Sequence, residues 1–209
     1  MNYLSKLLLA AATVLAVPAA LAQEASVIAP DILVQNVTEE VLATLRQDKE
    51  IRNGNTQKTI ALVQAKVLPH FNFNRMTALA VGRDWSKASA AQKEKLANQF
   101  RDLLVRTYAN AVSSYRDQKV RYKPFKMSSD DTDVLVRTEI QQPGSRPIQL
   151  DYSLEKTDKG WKVYDVVVAG VSLVTNYRSS FSQQIREGGI DGLINTLSEK
   201  NKALEKGKA

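Results

Sequence analysis

The hydrophobic pattern changes period once along this chain, near Tyr115, and that change restricts the fold more than any other feature. Upstream of it, apolar residues recur at helical spacing. Ile32, Leu33, Val37, Val41 and Leu45 predict a helix from Asp31 to about Leu45. The polar stretch Gln47 to Gln57 holds Asn53-Gly54-Asn55, a loop signal. Ile60, Val63 and Val67 mark a second helix that Pro69 ends, and a short third is expected over Phe73 to Val81. The longest helix starts at Ser89, where Ser89-Ala-Ala-Gln92 forms a capping box. Its apolar stripe is broad: Leu96, Phe100, Leu103 and Thr107 make one row, and Leu104, Tyr108, Ala111 and Tyr115 the next.

Downstream of Tyr115 the apolar residues alternate. Strands are expected near Val120 to Phe125, over Val134 to Ile140 and over Arg146 to Glu155. In the last of these, Ile148, Leu150, Tyr152 and Leu154 alternate with polar partners, the pattern of a strand with one wet face. Thr157-Asp-Lys-Gly160 predicts a hairpin turn. Trp161 to Ala169 is apolar on both faces except for Asp165, which predicts a central strand covered on both sides. Ser172 is placed to cap a helix in which Val174, Tyr177, Phe181 and Ile185 share a face and which Gly188-Gly189 close. Ile190, Leu193, Ile194 and Leu197 give a final helix, and the charged tail from about Lys200 is expected to fray. Helices, then hairpin-linked strands, then helices describe an α+β fold with an antiparallel sheet of about four strands and about six or seven helices.

The N-terminus adds a different constraint. Lys6 leads into the unbroken apolar run Leu7 to Val17 and then Pro18-Ala-Ala-Leu-Ala22, with small residues at Ala20 and Ala22. That is the pattern of a secretory signal peptide over residues 1–22, cut before Gln23. The run is too short for a membrane anchor, which takes roughly 20 apolar residues. Residues 23–209 then form one domain. An apolar fraction of 44% argues against disorder, and with no cysteine in an exported chain, packing alone has to hold the fold. The net charge is +7 and Lys6 is the only charge in the leader, so the basic balance belongs to the mature chain. It favours acidic partners such as phosphate-bearing membrane surfaces or acidic protein patches. No nucleic-acid motif is present.

Most catalytic classes lack their residues here. One histidine, His70, builds no cluster, and nothing has zinc-ligand spacing. Asp130, Asp131 and Asp133 resemble the start of a calcium loop, but Val136 stands where the glycine belongs. Gly170-Val-Ser172-Leu-Val174 lies where a nucleophile elbow would, without the second glycine. Asp165 is the notable polar residue, because an acid within an apolar strand must be paired, hydrogen-bonded or protonated. Two readings stay open: a general base in an apolar cone, as in steroid-isomerase-like enzymes, or an ion pair with a cation such as Arg178 that fixes strand to helix.

The segment Gly160-Trp-Lys-Val-Tyr-Asp-Val-Val-Val-Ala-Gly-Val-Ser-Leu-Val-Thr-Asn-Tyr-Arg-Ser-Ser-Phe181 resembles the signature of the MlaC, or toluene-tolerance, family. Val67-Leu-Pro-His-Phe71, Met76 to Trp85 and Phe100 to Tyr108 support the resemblance in the family's order. It implies a nuclear-transport-factor-2-like sheet packed with helices around an apolar cavity. It also implies a monomeric, non-enzymatic periplasmic protein that carries phospholipid as cargo, without a cofactor. The partners it implies are an outer-membrane lipoprotein and porin complex and an inner-membrane ABC transporter with an MCE-domain ring, maintaining outer-membrane lipid asymmetry. Candidate wall residues are Phe100, Leu103, Leu104 and Tyr108 on the long helix, and Val136, Leu150 and Tyr152 on the sheet. Val163, Val167, Val174, Tyr177 and Phe181 join them from the signature, with Arg83 and Arg178 as candidates to meet the phosphate. The alternatives are an isomerase or hydratase using Asp165 and a lipid-free adaptor between membrane complexes.

Overall fold

The computed structural model describes residues 28–115, 118–142 and 144–207; the export segment expected over residues 1–22 lies outside the described residues. The helices are α1 (Pro30–Gln47), α2 (Lys49–Arg52), α3 (Thr56–Lys66), α4 (Phe73–Val81), α5 (Ala90–Ser113) and α6 (Arg178–Glu205). Between α5 and α6 run β1 (Lys119–Tyr122), β2 (Asp133–Gln141), β3 (Ile148–Thr157), β4 (Gly160–Val168) and β5 (Val171–Ser172), antiparallel and in sequence order across the sheet. Helix and sheet thus divide at the change of period. The fold is a mixed helix and antiparallel-sheet architecture.

Local chemistry sets the helix starts. At α5 the Gln92 amide donates to Ser89 Oγ at 3.2 Å while the Ser89 amide donates to Gln92 Oε1 at 3.0 Å, which completes the capping box. Asp48 caps α2, so the polar stretch after α1 holds one helical turn where only a loop was expected. Asn55 and Asn72 cap α3 and α4 in the same way. In α6 the backbone breaks at Gly189, with φ 67° and ψ −169°, a conformation glycine adopts without steric cost. That is the break expected at Gly188-Gly189. The helix then continues to Glu205 instead of fraying from Lys200. Leu193, Leu197 and Asn201 follow one another at four-residue spacing, and Asn201 Nδ2 donates to both the backbone and side-chain oxygens of Gln99 on α5.

Register assigns the faces of the sheet. Val134, Val136, Thr138 and Ile140 on β2 lie opposite Leu154, Tyr152, Leu150 and Ile148 on β3, and these form the inner face. β4 joins this face through an irregularity: Leu154 pairs with Val163 but Ser153 with Asp165, so Tyr164 is an extra residue. A bulge of this kind moves every later side chain to the opposite face from the one simple alternation predicts. Val163, Val166 and Val168 therefore share the inner face, and Val167 lies on the outer one.

The strand β4 was expected to be central and is instead next to the two-residue edge strand β5. Its exposed edge is covered piecewise. Phe71 bridges to Val163, the Asn72 amide donates to the Val163 carbonyl at 2.8 Å, and the Leu173 amide to the Val166 carbonyl at 2.8 Å. On the outer face the guanidinium of Arg75 lies 3.5 Å from the centre of the Tyr164 ring. The same group reaches Glu155 at 2.6 Å and Asp133 at 2.9 Å, so α4 is fastened to three strands by one side chain.

Three clusters form the interior. The largest joins α4, α5 and α6 around Phe100, whose ring meets those of Tyr177 and Phe181 edge-on at 5.1 Å each. The second joins the start of α1 to the inner face of the sheet through Val34, Val136, Leu154 and Trp161. The third joins the end of α1 to α2 and α3 through Leu42, Leu45, Ile51 and Leu62. Phe100 is fully buried, so Phe100→Ala is expected to cost about 3–5 kcal/mol of unfolding free energy. Urea unfolding measures this directly, and a loss under about 1 kcal/mol would contradict the packing described.

Candidate functional site

Between α1 and the inner face of the sheet lies a cavity of about 740 Å³. Its size falls within the range of roughly 300–1,000 Å³ that small-molecule sites occupy. α1 forms its roof. Leu33, Val37, Thr38, Val41 and Leu45 all line it, and by helical rise the span from Leu33 to Leu45 is about 18 Å. The floor is the inner face: Val120, Ile140, Ile148, Leu150, Tyr152, Val163, Val166 and Val168. Val67, His70 and Phe71 close one side, and Tyr108, Ala111 and Val112 of α5 another.

Polar lining residues gather where elements end. Ser114 follows α5, Gln118 precedes β1, Gln142 follows β2, and Asn176 lies in the turn before α6. Val171 both lines the cavity and is 55% exposed, which marks a place where the cavity meets solvent. It follows a two-residue hairpin turn in which Ala169 has φ 49° and Gly170 φ 84°, the left-handed pair that such tight hairpins require. α1 is tied at its C-terminal end to the segment that follows α5. Arg46 donates to the Tyr115 hydroxyl at 3.0 Å, and that hydroxyl donates to the Gln118 carbonyl.

Of the wall residues expected from sequence, Tyr108, Leu150, Tyr152 and Val163 line this cavity. Leu104 lines a smaller neighbouring void. Phe100, Leu103, Val174 and Phe181 are buried in the helical core, with Tyr177 packed against them. Val136 belongs to the cluster beneath the start of α1, and the bulge places Val167 on the outer face. The roof residues of α1 and the Val166–Val168 pair were not singled out. The helical spacing of α1 was visible, but nothing local shows that its middle turns lie over empty space.

Asp165 follows neither expected course. Its Oδ1 accepts from the amides of Val166 (2.8 Å) and Val174 (3.2 Å), and its Oδ2 accepts from the Ser172 hydroxyl at 2.6 Å. Ser172 Oγ in turn accepts from the Thr175 amide at 3.0 Å; Ser172 is not the N-cap residue of the next helix, since neither the short turn Thr175–Tyr177 nor α6 takes a side-chain cap, and it pins the chain ahead of that turn instead. The carboxylate thus fixes β5 and the turn after it, and it is not among the cavity-lining residues. Arg178 donates instead to the Leu79 carbonyl, at 2.8 and 3.2 Å, and neither it nor the exposed Arg83 lines the cavity. Among the described residues no group of three or more His, Cys, Asp or Glu side chains is placed to hold a metal, and no helix is long and apolar enough to cross a membrane.

Burial shifts the ionisable groups around the cavity. The Tyr152 phenol, on the floor, is pushed up by burial, and that of Tyr122, which donates to Glu39 on α1, is pushed up to about 12. His70 moves below its usual 6.5, first because burial disfavours the charged ring and then because Lys162 is close; Glu40 pulls the other way but is itself paired with Lys66 at 2.6 Å. The unfolded chain then binds more protons than the folded one as pH falls through 6.5, so His70 lowers stability there and leaves it unchanged above. Because the chain has one histidine, its ring resonance can be followed by NMR without overlap. A titration midpoint below 6.5 is expected, together with an unfolding midpoint that falls less on acidification in His70→Asn; a midpoint at or above 6.5 would contradict the burial.

Comparison with known proteins agrees with this architecture. Residues 35–199 match the model of the family described as MlaC protein. The chain is 30% identical over 175 residues to the intermembrane phospholipid transport system binding protein MlaC of Haemophilus influenzae, covering 81% of each. It is 25% identical over 163 residues to the toluene tolerance protein ttg2D of Pseudomonas putida, covering 78% of this chain and 75% of that one. A solved phospholipid-binding protein of Ralstonia solanacearum, in complex with a phospholipid, superposes with a TM-score of 0.78 at 41% identity, covering 84% of this chain and 98% of that one. With that match and the shared fold, the chain belongs to the MlaC protein family.

Proposed function

We propose that this protein is a periplasmic phospholipid carrier. It holds acyl tails in the cavity beneath α1 and shuttles the lipid between an outer-membrane lipoprotein and porin complex and an inner-membrane ABC transporter, which maintains outer-membrane lipid asymmetry. The observation that carries this reading is the cavity itself: about 740 Å³, walled by aliphatic and aromatic side chains, with polar residues confined mostly to the ends of elements. Each methylene kept from water is worth roughly 0.8 kcal/mol, so two long tails amount to roughly 20 kcal/mol or more. Free diffusion through an aqueous compartment meets that barrier in full, and an apolar cavity removes it.

The head group stays in water in this scheme. Lys119, at the start of β1 beside the lining residue Gln118, and Arg146, in the connection two residues before the lining residue Ile148, are both exposed, where their charge meets a phosphate without desolvation. No bond to the cargo is made or broken. Asp165 is engaged by two amides and a hydroxyl away from the cavity, which favours a carrier over an isomerase that would need it as a base. A lipid-free adaptor would have no use for an apolar cavity of this size.

Mass spectrometry of the mature protein from bacterial periplasm, native and then after organic extraction, is expected to show phospholipid in stoichiometric amount. Val37→Trp combined with Val41→Trp fills the space beneath α1 and is expected to reduce bound lipid at least tenfold while the circular dichroism spectrum is kept. Lipid-free wild-type protein that also takes none from vesicles would refute the carrier.

A further inference from the structure

A second apolar void, of about 130 Å³, adjoins the large cavity on its helical side. Val67, Phe71, Tyr108, Val112, Val166 and Leu173 line both spaces, which makes them the partition. Behind it the void is walled by α3, α4 and α5 through Val63, Met76, Leu104, Val105 and Ala109. Apart from the Tyr108 hydroxyl, no side chain that lines this space offers a strong hydrogen bond to water. Protein interiors are packed like organic crystals, with few voids larger than a water molecule. The neighbouring core obeys that rule, with Leu96 and Phe100 wholly buried. Unfilled space beside it leaves wall atoms without contact partners unless another molecule supplies them.

We propose that this annex seats the end of one acyl chain of the cargo and thereby sets the chain length the protein prefers. The inference rests on the carrier reading of the main cavity. A tail lying beneath α1 passes the partition at Phe71 and Tyr108 and ends against Leu104 and Ala109. At about 30 Å³ per water-sized group, the annex has room for roughly four methylenes. The ligand class is therefore a lipid with at least one chain longer than the main cavity alone would hold. Its head group plays no part in the selection.

The test alters the annex without touching the main cavity. Val63→Phe, from the half-buried side of α3, and Ala109→Leu, from α5, both fill the space, and Leu104→Ala enlarges it. The full mature chain and each variant are incubated with phosphatidylglycerol vesicles containing equal amounts of dimyristoyl and distearoyl lipid, and the bound lipid is extracted and measured by mass spectrometry. The extra stearoyl methylenes are already shielded in the vesicle, so wild type, which shields them again in the annex, is expected to take the stearoyl lipid at least as well as the myristoyl lipid. Each methylene displaced lowers the stearoyl-to-myristoyl ratio about fourfold in the filled variants, and Leu104→Ala raises the ratio. Folded, lipid-loaded Val63→Phe or Ala109→Leu protein with an unchanged ratio overturns the inference. Wild-type protein that takes neither lipid overturns the carrier reading instead, and the two failures are told apart by total lipid bound.

Discussion

α1 is held at its two ends by two different hydrophobic clusters, and the cavity exists because nothing fills the space between them. Val34 anchors the first turns to the sheet, while Leu42 and Leu45 anchor the last turns to α2 and α3. The middle turns, with Val37, Thr38 and Val41, face the cavity. Removing either anchor would let the helix settle onto the sheet or leave it altogether. Hydrophobic burial is proportional to area and indifferent to direction, so it would by itself collapse such a gap. Anchoring at both ends prevents this, and polar fasteners fix the position: Glu39 with Tyr122, Glu40 with Lys66, and Arg46 with Tyr115.

The floor depends on one extra residue. Without the bulge at Tyr164, strict alternation would carry Val163, Asp165 and Val167 to the inner face and place a carboxylate in an apolar cavity. With it, Val166 and Val168 take the inner positions, and Asp165 turns to bind the amides and hydroxyl of the segment leading into α6. One irregularity therefore removes a charge from the cavity and gives that charge the hydrogen bonds it needs. Arg75 stabilises the bulged strand from outside by stacking on the extra tyrosine while bridging two acids on neighbouring strands.

The helical core and the cavity divide the apolar residues between two tasks. Phe100, Tyr177 and Phe181 interlock tightly and supply stability to a chain without disulfides. The cavity wall gives up packing density and encloses an apolar space instead. α5 serves both, with Phe100 and Leu103 toward α4 and α6 and Tyr108, Ala111 and Val112 toward the cavity. Its broad stripe is wide because it faces two different neighbours.

Hydrophobic period, caps and turns, which act over a few residues, determined the element order by sequence alone: the capping box at Ser89, the hairpin at Thr157–Gly160, the break at Gly189 and the change to strands after Tyr115. The family signature from Gly160 to Phe181 was likewise legible, because it is a string of residue identities. Only the tertiary structure decided which apolar residues are wall and which are core. Tyr108 and Phe100 occupy the same helix with the same kind of burial signal, and only the elements opposite distinguish them. The bulge that reassigns Val166 and Val167 depends on pairing with β3, a partner that β4 meets in space. The persistence of α6 past Lys200 depends on Asn201 finding Gln99 on a helix about one hundred residues away in sequence. Hydrophobicity along a chain records that a side chain avoids water; whether it does so against another side chain or around a cavity is fixed by long-range packing alone.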